Sequence, residues 1–123
     1  MRKYIMDYIC SLHGYLIRLK EIHWNTGSNA EHLLCDEVMG CISGCEDEFT
    51  ETAMGLYGVK VSIGDLKPLL PNSESLKPML KELVGETVEM KKKLNKDVEA
   101  GLCNILDDLI AGAQKYMYRS TQK

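Results

Sequence analysis

Ile5, Ile9, Leu12, Leu16 and Leu19 recur every three or four residues, the period of an amphipathic helix, and predict one over about residues 3–24. Asn25, Gly27 and Ser28 interrupt it, and Ser28 or Asn29 is placed to cap the next helix. A second stripe of Leu34, Val38, Cys41, Ile42, Cys45, Phe49 and Leu56 carries that helix to about Leu56, and Gly58 ends it. Residues 58–72, GVKVSIGDLKPLLPN, contain Gly64, Pro68 and Pro71, so they predict a long non-helical connection. Ser73 with Glu74 predicts the opening of a third helix, whose inner face carries Leu76, Leu80, Leu83, Thr87, Met90 and Leu94. Pro78 then falls in its first turns, where a missing N–H is best tolerated. The chain is expected to turn around Val98–Gly101, before a fourth stripe of Leu102, Ile105, Leu106, Leu109, Ile110, Ala113 and Met117. No run alternates with strand period. The pattern predicts an all-α, single-domain four-helix bundle over residues 1–123, with its long connection between the second and third helices.

Composition narrows the function classes. A net charge of −3 with both signs interspersed offers no clustered cations to neutralise phosphates, which disfavours nucleic-acid binding. No apolar run is long enough to span a bilayer, and Asp7 interrupts the opening apolar stretch, which argues against a signal peptide. The five cysteines have no disulfide-scaffold spacing and suit a reducing compartment, so a cytoplasmic protein is expected. Cys41 and Cys45, one turn apart on the apolar stripe, read as core filling. His13 has no partner at useful spacing and reads as surface, as do the Glu86–Glu89 and Lys91–Lys93 runs. Tyr4, Tyr8, Tyr15, Tyr116 and Tyr118 are expected to pack at bundle ends or subunit contacts.

The second helix carries the candidate chemistry. On a wheel at about 100° per residue, His32, Asp36, Asp47 and Glu51 share an arc opposite the apolar stripe, so they point out of the bundle. His32 and Asp36 are one turn apart, as are Asp47 and Glu51, and each pair can grip one metal ion. The pairs lie at least ~16 Å apart along the axis, so one helix cannot unite them. Two copies packed antiparallel about a two-fold axis near residues 41–42 can, and Gly40, Ser43 and Gly44 leave room there for close approach. A homodimer through the second helix with two equivalent interfacial metal sites is the expectation. His23, at the end of the first helix, returns beside His32. Mixed nitrogen and oxygen donors suit iron, manganese or zinc.

His23-Trp24-Asn25 ending one helix, His32 opening the next, Asp36 four residues on and Asp47-x-x-x-Glu51 beyond: this set resembles the Dps mini-ferritin family. The resemblance implies a ferritin-like fold and oxidation of ferrous iron at a site shared between two subunits. It implies His23, His32, Asp36, Asp47 and Glu51 as metal ligands. Glu51 bridges, Glu51, Asp47 and His23 form the catalytic set, and Trp24 is either a core aromatic or an interceptor of oxidising equivalents. The match is close over the first two helices and one of pattern only in the fourth. Three features depart from it: the His23–His32 spacing is shorter, the 58–72 connection cannot hold the small helix found at the family's dimer interface, and the basic tail is absent. A dimer rather than a twelve-subunit shell is therefore expected, without DNA contact. The alternative reading is a ferritin-like dimer acting as a binding or structural protein with a vestigial metal site.

Overall fold

The computed structural model describes residues 1–122. It contains four helices, α1 (Lys3–Asn25), α2 (Asn29–Tyr57), α3 (Leu76–Lys93) and α4 (Ala100–Arg119), with no strand among the described residues. Ser28 caps α2 through its side-chain oxygen, which accepts from the Glu31 N–H. Gly58 ends α2 in the left-handed conformation (φ 65°), which glycine adopts without the Cβ penalty.

Cross-helix contacts fix the topology. His13 meets Glu46 and His23 meets His32, so α1 and α2 are antiparallel. Tyr8 bonds Thr87 and Tyr15 bonds Glu86, which sets α3 antiparallel to α1 and hence parallel to α2. Arg119 pairs with Glu37 at one end of α2, and Gly101 faces Thr52 at the other, so α4 runs antiparallel to α2. The order is up-down-down-up with a single crossover, the connectivity of a four-helix bundle with one long connection. One hydrophobic cluster draws on all four helices, with Ile5, Leu12, Leu19, Phe49, Leu80, Leu83 and Leu106 fully buried.

The crossover, residues 58–75, runs the length of α1 instead of looping into solvent. Leu69 N–H donates to the Cys10 carbonyl at 3.1 Å and the Arg18 guanidinium to the Pro71 carbonyl at 3.3 Å. Gly14 makes this docking possible. A Cβ there would lie 1.9 Å from the Leu69 carbonyl oxygen, so the close approach requires glycine.

Several sequence expectations are corrected. Helix α3 opens at Leu76, not Ser73, because Ser73 is engaged elsewhere: its N–H and hydroxyl, with the Asn72 N–H, donate to the Glu82 carboxylate. A start at Ser73 would also push Pro78 deeper into the helix, where its ring clashes with the preceding turn. The α3–α4 turn spans 94–99, not Val98–Gly101, since Asn95 Oδ1 accepts from the Asp97 and Val98 N–H groups and completes the turn early. Leu56 is 42% exposed despite its phase, because α4 begins beside Thr52 and does not extend over it. Tyr8 and Tyr15 are core residues, not bundle-end contacts, since Thr87 and Glu86 satisfy their hydroxyls inside the bundle. Glu86 is therefore no mere solvated residue, and Lys91 of the neighbouring basic run pairs with Asp107 of α4.

An ion pair with a buried carboxylate closes one end. Glu99, 3% exposed, binds the Arg2 guanidinium, which also donates to the Tyr57 hydroxyl. The starts of α1 and α4 and the end of α2 are thereby joined. Burial works against the Glu99 charge, but Arg2 and the Asn95 N–H hold its pKa below the usual glutamate value.

Candidate metal centre

The α1–α2 hairpin brings His23, His32 and Asp36 to one end of the bundle. The two imidazole rings stack with centroids 3.8 Å apart and 20° between planes. Each Nδ1 lies 3.0 Å from the other residue's backbone carbonyl oxygen. A carbonyl only accepts, so each Nδ1 carries the proton and donates it. When neutral, both rings are thus held in the Nδ1–H tautomer with the Nε2 lone pair open to a ligand, the arrangement seen behind metal-binding histidines. Asp36 Oδ1 stands 3.6 Å from His23 Nδ1, too far for a hydrogen bond, and the carboxylate is exposed. The spacing of only nine residues between His23 and His32 is what permits the reciprocal bonds, because a tight 26–28 turn leaves the two residues facing each other.

Asp47 and Glu51 lie on the same outward face of α2, both exposed, toward the far end. They border a depression of about 200 Å³ whose walls are Ile9 of α1 and Val61 and Leu66 of the crossover. The chain does not bring this carboxylate pair to the histidines. Among the described residues, no group of three or more His, Cys, Asp or Glu side chains is arranged to hold a metal within one chain.

Between these two groups, the outward face of α2 is bare. A Cβ added at Gly40 or Gly44 would meet nothing within 4 Å, and Ser43 is exposed. The residues facing outward, His32, Asp36, Gly40, Ser43, Asp47 and Glu51, follow one another at intervals of four, four, three, four and four. This spacing reads identically in either direction about a midpoint between Cys41 and Ile42. Alongside runs a groove of about 370 Å³ between α1 and α2, lined in part by Leu16, Ile17, Met39 and Gly40.

Sequence reasoning missed the partner of His13. Its Nδ1 lies 3.2 Å from Glu46 Oε2, so His13 is not free surface but one half of a cross-helix pair at the edge of that groove. The signal was available in principle. Stepping ten residues back along α1 and ten forward along α2 from His23 and Asp36 arrives at His13 and Glu46, as an antiparallel hairpin requires.

All five cysteines are free, and four of them are buried. Burial pushes the Cys45 thiol up to about 12 and the Cys35 thiol up to about 11, so both stay protonated as core-filling groups. Cys41, half-buried against Gly112, is raised for the same reason. No helix of the described residues is long and apolar enough to cross a membrane.

No curated protein and no solved structure matches the chain. Residues 23–119, from the first candidate ligand to the last residue of α4, match a family described as a family of unknown function (DUF5856). That match spans well over half of the sequence, and the chain belongs to this family.

Proposed function

We propose that two copies of this chain pair through the outward face of α2 and bind ferrous iron at two equivalent sites between them, oxidising it to the ferric state. The observation that carries the reading is the placement of two donor pairs on the outward face of α2, His32–Asp36 and Asp47–Glu51, at equal distances from a midpoint within the bare Gly40–Gly44 stretch. Antiparallel pairing about that midpoint sets His32 opposite the partner's Glu51, Asp36 opposite the partner's Asp47, and Gly40 opposite the partner's Ser43. A solvated helix face has no reason to repeat its chemistry in reverse order, whereas a two-fold interface does. Each end then gathers the donors that a single chain lacks: two imidazoles and a carboxylate from one copy, two carboxylates from the other.

Roles follow from the donors. Glu51 and Asp47 hold the first iron with His23 or His32 of the other copy, and Asp36 serves a weaker second position. Hard carboxylate oxygens favour Fe(III) as it forms, while neutral imidazole completes the site. Hydrogen peroxide or dioxygen is the oxidant. With peroxide, two Fe(II) each give one electron, the O–O bond breaks, and two protons complete two waters. Zinc or manganese, which accept the same donors, would compete with iron.

One observation favours a second reading. The reciprocal His23–His32 bonds fasten the hairpin without any metal, as in a structural protein that has kept its histidines as a staple. Ferrous titration followed by substoichiometric peroxide, with ferric absorbance as readout, separates the two. Glu51→Ala is expected to abolish oxidation, and His23→Ala to reduce it strongly. Mixing the two variants should restore up to about a quarter of all sites, since a random heterodimer concentrates both lesions in one site and leaves the other whole. Oxidation surviving Glu51→Ala overturns the ligand assignment. No recovery despite proven subunit exchange overturns the two-chain site. Absence of iron uptake, with His23→Ala lowering only the melting temperature, establishes the structural reading instead.

A further inference from the structure

Trp24 is 74% exposed, immediately beside the half-buried His23, and it is the chain's only tryptophan. Leaving so large an apolar side chain in water forgoes burial of its ring, and indole-bearing residues concentrate at interfaces for that reason. On α1 it continues the line of His13, Ile17 and Lys20, which borders the groove flanking the outward face of α2. Trp24 thus stands at the end of that groove, one turn beyond Lys20.

At the other end of the same surface lies the depression bordered by Ile9, Val61, Leu66, Thr50, Asp47 and Glu51. Its apolar walls come from α1 and the crossover, and its rim carries carboxylates. This chemistry matches an indole, which needs an apolar slot for its ring and an acceptor for its N–H. The axial registers also correspond. His23 and Trp24 stand at the level of His32, and antiparallel pairing sets His32 opposite the partner's Glu51, which borders the depression. Ile9 lies one helical turn from His13, as Thr50 lies one turn from Glu46, so these wall residues occupy that same level.

We propose that Trp24 of each copy inserts into the depression between α2 and the crossover of the other, sealing the intersubunit site from solvent. The inference rests on the α2-paired dimer described above, and commits the occupant of the depression to a second copy of this chain. The crossover thereby acquires a role beyond connecting helices, because Val61 and Leu66, held beside α2, form the wall that receives the ring.

The sole tryptophan makes this measurable. Acrylamide quenching of its fluorescence is followed across a dilution series, with the monomer–dimer equilibrium determined separately by sedimentation. The quenching constant is expected to fall several-fold as dimer forms, with a blue shift in emission. Trp24→Ala, which removes a side chain that contacts little within its own chain, should weaken dimerisation by at least about 30-fold, as for an interface tryptophan seated in a pocket. Val61→Asp, placing a carboxylate in the receiving wall, should return Trp24 to the quencher in any dimer that still forms. A dimer whose Trp24 stays fully accessible, or a Trp24→Ala effect under about five-fold, overturns this inference and leaves the dimer reading standing. A chain that remains monomeric at every concentration overturns both.

Discussion

Replacing Gly14 with alanine offers a test in which the sign of the effect decides. In an ordinary helix interior the change is favourable by about 1 kcal/mol, because alanine loses less backbone entropy. Gly14 sits mid-way along α1, so propensity alone predicts stabilisation. The packing predicts the opposite. The new Cβ would lie 1.9 Å from the Leu69 carbonyl oxygen, 2.5 Å from its carbonyl carbon and 3.1 Å from the Leu70 nitrogen, and all three are backbone atoms that cannot rotate away. A carbon–oxygen contact needs about 3.3 Å, so the crossover must retreat by more than ~1 Å. That retreat breaks the Leu69 N–H bond to Cys10, worth about 1 kcal/mol, and adds an overpacking cost of about 1–3 kcal/mol. The balance is a net loss of about 2 kcal/mol. For a chain of this length that lowers the melting temperature by roughly 8 °C. Urea unfolding followed by far-ultraviolet circular dichroism measures it directly. Gly85→Ala, at an exposed position of α3 where the added Cβ meets nothing, is the control and should gain about 0.5–1 kcal/mol. A Gly14→Ala protein as stable as the original would refute the docking of the crossover on α1.

Gly44→Arg should leave the dilute, monomeric protein about as stable as before, since a Cβ at this exposed position meets nothing within 4 Å, yet abolish the dimer in sedimentation; an intact dimer would move the interface elsewhere. The depressed Glu99 pKa contributes stability that is fully present above the ordinary glutamate value of 4.5 and is lost as pH falls through the lower folded value. Glu99→Gln is accordingly expected to cost about 1–2 kcal/mol at neutral pH and to flatten the acid limb of a melting-temperature profile, and an unchanged limb would assign that loss to other carboxylates. Cys35 and Cys45 should react with a thiol reagent at pH 8 only as fast as the protein unfolds, because burial raises both thiols to about 11 and 12; rapid labelling of either in the native state would contradict their packing.

Most of the fold was legible because helical period and caps are local. Ser28 and Gly58 mark the ends of α2 through their own hydrogen bonding and backbone freedom, and both hold in the structure. The errors arose where a side chain was already engaged at a distance. Ser73 looks like a cap until Glu82, nine residues on, takes its N–H and hydroxyl, and Tyr15 looks peripheral until Glu86 supplies an acceptor inside the bundle. Gly14 reads as a weak spot in a helix, because nothing local announces that a backbone from residue 69 will cross it.

The candidate site divides along the same line. The outward phase of His32, Asp36, Asp47 and Glu51 is a property of one helix, and the sequence alone yields it. The imidazole tautomers depend on how tightly the hairpin closes, and only the reciprocal carbonyl bonds at 3.0 Å define them. These bonds also change how the histidines must be weighed. A ring whose Nδ1 already fastens the backbone loses a structural bond on mutation as well as a ligand, so loss of oxidation in His23→Ala is ambiguous taken alone. Asp47 and Glu51 make no such bond to the fold, because both are exposed on the open face of α2. Their removal therefore reports on metal chemistry with little structural cost, which is why Glu51→Ala, rather than a histidine variant, carries the decision about the ligand set.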